Sequence, residues 1–173
     1  MKEWLVHART LGAPALRVFA GITPEGHSDE EAFDWAVASL KECVPVAAEN
    51  GVVMALENHG GIPTTSAEVI GLVGTVNSEW FKVNLDTGNY GLDPTVDPYE
   101  GMRRVVHLGV TAHHKVSMNT RRGHRPVDIE RVISVLDDAN YRGYLNIEFE
   151  ENEDPKINVP KIVDDMRRAL SRI

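Results

Sequence analysis

Short β-branched or aromatic runs alternate with amphipathic helical segments along the whole chain. Helical patterns cover 2–11, 28–50, 65–76, 97–106, 128–140 and 159–172. Strand patterns cover 15–19, 52–57, 81–86, 110–116 and 144–149. Strands that alternate with helices pair in parallel through right-handed crossovers, so the chain reads as α/β with five parallel strands. The punctuation agrees. Gly12 and Gly51 stand where helices end in a left-handed turn. Ser28 with Glu31, and Thr65 with Glu68, form capping boxes. Asp97 and Pro98 supply an N-cap and a first helical residue. Pro45 predicts a kink or break near residue 44. No Pro/Gly/Ser linker or step in composition divides residues 1–173, which read as one domain.

These strands are wrong for a doubly wound sheet, whose strands are covered on both faces and apolar throughout. In 81–86, Phe81, Val83 and Leu85 oppose Lys82, Asn84 and Asp86. In 110–116, Val110, Ala112 and Val116 oppose Thr111, His113 and Lys115. In 144–149, Leu145, Ile147 and Phe149 oppose Tyr144, Asn146 and Glu148. Glu57 closes the otherwise apolar strand 52–57. One face is dry; the other turns polar toward the strand ends. That is the pattern of a (β/α) barrel interior, with functional side chains at the C-terminal mouth.

The pattern brings Glu57, Asp86, His113 and Glu148 to equivalent positions on four consecutive strands. Neighbouring strands are about 4.8 Å apart, so these heads can converge on one point. Three carboxylates and an imidazole around a point repel one another or shift their pKa values strongly unless a cation sits there. Oxygen-rich donors suit Mn²⁺, Mg²⁺ or Co²⁺ better than a cysteine-based structural zinc site, with Zn²⁺ still open. Asn84 and Asn146 are expected to hydrogen-bond the ligands. His59, two residues beyond Glu57, shares its face. Arg121, Arg122 and Arg125, in the loop after the fourth strand, form a positive patch at the same mouth, suited to an anionic substrate group.

Composition narrows the field. Asp and Glu number 26 against 18 Lys and Arg, a net charge of −8. An acidic chain is a poor partner for a phosphate backbone, so nucleic acid is not expected. No run approaches the ~18 apolar residues of a membrane span. The opening MKEWLVHARTLG has no apolar core like that of a secretory leader. Cys43 is the only cysteine, so no internal disulfide forms, and the expected setting is the reducing cytoplasm.

ALENHGG (55–61), NLDTGN (84–89), HHKV (113–116) and GYLNIEFE (143–150) together resemble the sugar phosphate isomerase/epimerase family with the xylose isomerase-like TIM barrel. The resemblance covers nearly the whole chain. It implies that Glu57, Asp86, His113 and Glu148 bind a divalent metal. It also implies that Glu57 and Glu148 share proton transfer through a cis-enediolate, with Lys115 as a further catalytic group. His59, Asn89 and Arg122 fall to substrate binding. The implied substrate is a small sugar or polyol. Two positions depart from the family pattern: Thr111 and Val116 replace a histidine and an aspartate of the seventh barrel strand. Asn89 stands where many epimerases carry a histidine.

By this resemblance 15–19 is the fourth barrel strand, and the first three βα units are missing. A closed barrel takes roughly 250 residues. The expectation is therefore an incomplete TIM-type barrel of strands four to eight, with edges at 15–19 and 144–149 covered in a homodimer. Two other functions remain open: a non-catalytic metal-binding paralogue or fragment, and relatives such as an inosose dehydratase or an endonuclease IV-like apurinic endonuclease. The endonuclease needs extra histidines, one of them where Asn89 stands.

Overall fold

In the computed structural model, which describes residues 1–173, five parallel strands make one sheet in the order Ala15–Val18, Val53–Leu56, Phe81–Asp86, Gly109–His114, Tyr144–Ile147. The elements are α1 (Lys2–Leu11), β1 (Ala15–Val18), α2 (Asp29–Asn50), β2 (Val53–Leu56), α3 (Ser66–Val76), β3 (Phe81–Asp86), α4 (Pro98–Val105), β4 (Gly109–His114), β5 (Ser117–Thr120), β6 (Gly123–Pro126), α5 (Ile129–Asp138), β7 (Tyr144–Ile147) and α6 (Pro155–Leu170). The dry face carries Met54, Leu56, Phe81, Val83, Leu85 and Ala112. The helices bury Leu5, Leu40, Leu72, Met102 and Val132 in the same core. Both expected capping boxes form, and Gly12 and Gly51 close their helices at φ 74° and 64°.

The sheet is curled. β1 and β7 are its two edges, and four flat strand spacings would separate them by roughly 19 Å. Yet Arg17 of β1 reaches Glu148, just past β7, at 2.8 Å. The fold is an incomplete barrel whose polar face lies inside the curve. The register aligns Asp86 with His113 and His113 with Asn146. Between Val83 and Asn84 the β3–β4 ladder slips, leaving Val110 as an extra residue on β4.

Three expectations need correction. Helix α2 runs unbroken through Pro45. That residue is exposed, so the carbonyl left without its N–H partner faces water. Helix α6 starts at Pro155 rather than near 159, because Asp154 caps it by accepting the Lys156 N–H at 2.9 Å. The segment 117–126, expected as a loop, is an antiparallel hairpin of β5 and β6.

Candidate metal centre

The four residues singled out by strand position meet. Each offers one ligand atom, and these atoms lie within 4.8 Å of one another. Glu57 and Glu148 stand one residue beyond their strands. Their N–H groups still donate in register, to the carbonyls of Val18 and His114, each at 3.0 Å. The convergence therefore follows from parallel register and curl.

Glu57 is almost fully buried. Its Oε2 accepts from Asn84 Nδ2 at 2.6 Å and from Arg17 Nη1 at 3.2 Å, while its Oε1 is buried with no partner. Asp86 Oδ1 accepts the Gly88 N–H at 2.7 Å, and Oδ2 faces Lys115 Nζ at 3.2 Å. His113 Nδ1 lies 3.0 Å from Glu148 Oε2 and 3.6 Å from Glu57 Oε2. His113 and Glu148 are partly exposed, so the cluster opens to solvent on their side. A buried carboxylate oxygen without a hydrogen bond is costly. Glu57, with one carboxylate oxygen unpartnered and with two further carboxylates and an imidazole in its group, fits a divalent cation.

Two cations hold the cluster together. Lys115 is buried and reaches Asp86, Glu148 at 3.4 Å and Glu150 at 2.8 Å. Burial works against its charge, but Glu150, Asp86 and Glu148 outweigh it and raise the ammonium above its ordinary range. Burial likewise works to raise Glu148, but Lys115, His113 and Arg17 together hold it well below the usual carboxylate range. Asp86 moves the other way: burial pushes it up, opposed by Lys115 and reinforced by Glu57. Gly88 makes room for the Lys115 stem. A Cβ there would stand 2.7 Å from Lys115 Cδ and 2.9 Å from the Ser117 carbonyl.

The other expected residues spread out. Asn84 bonds Glu57 as anticipated, whereas Asn146, beside His113 in the register, donates to Thr111 Oγ1 at 3.1 Å instead. Asn89 is buried, its Oδ1 accepting from Asn119 at 3.4 Å. His59 is exposed, its ring 4.9 Å from that of Phe19. Arg122 is exposed at the tip of the β5–β6 hairpin. Sequence reasoning missed Arg17, Glu150 and His114. Arg17 was legible as the polar residue alternating with Leu16 and Val18. Glu150 stands two residues beyond Glu148. His114 is buried on the opposite, helix-facing side, where alternation predicts an apolar residue.

Solved structures share this architecture. A xylose isomerase domain protein from Planctomyces limnophilus superposes with TM-score 0.78 at 22% identity, over 99% of this chain and 66% of its own. A 3-keto-D-glucoside 4-epimerase from E. coli gives 0.79 at 17% identity, over 96% and 68%. A D-psicose 3-epimerase from Clostridium cellulolyticum H10, solved with D-tagatose, gives 0.77 at 18% identity, over 98% and 68%. The chain thus spans about two thirds of the length of each. No curated protein matches it. The family model of the xylose isomerase-like TIM barrel matches residues 1–172, and the chain belongs to that family.

Proposed function

We propose that this chain carries the metal-binding half of a divalent-metal-dependent sugar or sugar-phosphate isomerase or epimerase. The observation that carries the reading is the convergence of Glu57, Asp86, His113 and Glu148, with Glu57 Oε1 buried and unpartnered. Mn²⁺, Mg²⁺ or Co²⁺ suits this donor set. When bound, such an ion supplies Lewis acidity toward a substrate carbonyl.

The chain's own residues account for the rest. Glu148, ionised throughout the neutral range, takes a proton from carbon next to the carbonyl. Glu57, carrying a proton drawn from water, stands across the cluster. It delivers that proton to the opposite face while Glu148 keeps the one it removed, giving epimerisation, or to the neighbouring carbon, giving aldose–ketose isomerisation. Proton exchange with water on the open side resets both groups. Asn84 orients Glu57. Lys115 balances the carboxylates and offers positive charge to a substrate oxygen. His59 and Asn89 are assigned to substrate contact, and Arg122 to an anionic group. A second copy covers the open edges of β1 and β7.

Metal analysis combined with deuterium exchange into a panel of ketoses and ketose phosphates tests this. Glu148→Gln should slow exchange by about 10²- to 10⁴-fold with the circular-dichroism spectrum unchanged. Exchange that persists in Glu148→Gln overturns the assignment. The other reading is a non-catalytic metal-binding paralogue or fragment, which holds the ion without a complete substrate pocket. Bound metal with no exchange on any ketose selects that reading.

A further inference from the structure

Arg17 is the one charged residue of the cluster that comes from β1, a strand contributing no ligand. A single guanidinium nitrogen, Nη1, lies 3.2 Å from Glu57 Oε2 and 2.8 Å from Glu148 Oε1. One positive atom between two glutamates is what a divalent ion would itself become. The oxygens it holds belong to two of the four donor residues. Glu57 Oε2 is already engaged twice, by Arg17 and by Asn84. A dication among the same donors would stand close to Nη1, and like charges at such separations repel strongly wherever water is scarce.

The two resident cations differ in freedom. The Lys115 side chain is 6% exposed and tied to Glu150 as well as to the cluster. The Arg17 side chain is 37% exposed and rises from an edge strand, with Phe19 alongside, its ring centroid 5.1 Å from the guanidinium carbon. Arg17 can therefore withdraw into solvent, over an aromatic surface that favours it, without disturbing the core.

We propose that Arg17 is a tethered counter-cation, which bridges Glu57 and Glu148 in the metal-free protein and is displaced when a divalent ion binds. The proposal rests on the metal-centre reading above. It gives Arg17 two opposed effects. The residue stabilises the empty cluster by relieving carboxylate repulsion, and it weakens metal binding because its contacts must be broken first.

The test compares metal-stripped wild type with Arg17→Met and Arg17→Gln. The measurements are calorimetric titration with MnCl₂ and thermal melts with and without the ion. Both variants should bind Mn²⁺ at least about fivefold more tightly than wild type. Both should melt lower than wild type when metal-free and gain more in Tm from Mn²⁺. If Arg17→Met does not fold, Arg17→Gln is judged by the same criteria. Unchanged or weaker affinity in a folded variant, with wild type still binding the ion, overturns the role of Arg17 and leaves the metal centre standing. No Mn²⁺ binding by wild type or variants overturns both.

Discussion

His114 shows how one residue departs from the pattern around it. It follows His113 of the carboxylate–imidazole cluster but points to the opposite side of β4, where it is buried with Nδ1 unpartnered. Burial, opposed only by Asp165, lowers its pKa to about 4 from an ordinary 6.5. The unfolded chain therefore takes up the proton first. The stability that the neutral ring contributes is fully present above pH 6.5 and is lost as the pH falls toward 4, to a limit of about 3 kcal/mol. Asp86, pushed up by burial, acts in the opposite sense over the same range, so the slope is read as the difference between wild type and His114→Phe in urea melts from pH 7 to 4. An equal slope in both proteins would remove His114 as the cause. The four residues of the cluster were legible because Asp86, His113 and Glu148 stand on the polar side of alternating strands and Glu57 closes an apolar one. Arg17 obeys the same alternation, but in a strand of only four residues one polar side chain does not stand out. His114 breaks the alternation, so no periodic reading could place it.

At the scale of elements, the helices that open on a polar cap were the easiest to read. Asp97 caps α4 through the N–H groups of Tyr99 and Glu100 at 3.1 and 3.3 Å. It also pairs with Arg131 of α5 at 2.8 Å, whose guanidinium carbon lies 3.9 Å from the centre of the Tyr99 ring. Asp97→Ala should cost about 1–2 kcal/mol, mostly as the lost cap. Asp97→Asn keeps the cap, loses only an exposed ion pair, and should cost less than about 1 kcal/mol. Thermal denaturation of both variants checks the order, and equal losses would assign the effect to the ion pair. The Asp154–Pro155 signal of α6 has the same form, yet the helix reads late because its buried residues begin only at Ile162. The β5–β6 hairpin was hidden for a different reason. Ser117–Pro126 is almost wholly polar, and the pairing is backbone-driven, closed through Gly123 at φ 102°.

The whole molecule is a curled five-stranded sheet with its first and last strands unpaired on their outer sides. Exposed apolar residues lie along both margins: Trp4, Phe19 and Ile22 near β1, and Tyr144 on β7. Bare parallel edges flanked by such side chains are a site for association. Sedimentation equilibrium should find a dimer at micromolar concentrations, and Tyr144→Lys should shift it toward monomer. A wild-type monomer across the whole concentration range would discard the paired-edge arrangement. The −8 net charge opposes self-association at long range, so the dimer should tighten as salt rises.

The Arg17–Glu148 bridge joins positions 131 residues apart, and it ties the opening strand to the closing one. No sub-fragment that ends before Glu148 owns all four residues of the candidate site. During synthesis, Glu57, Asp86 and His113 must leave the ribosome well before their last companion does. A divalent ion thus meets the full set of candidate donors only once the chain has been made past Glu148. Titrating Mn²⁺ into partially denatured protein should therefore draw the whole population toward the native state and enrich no intermediate.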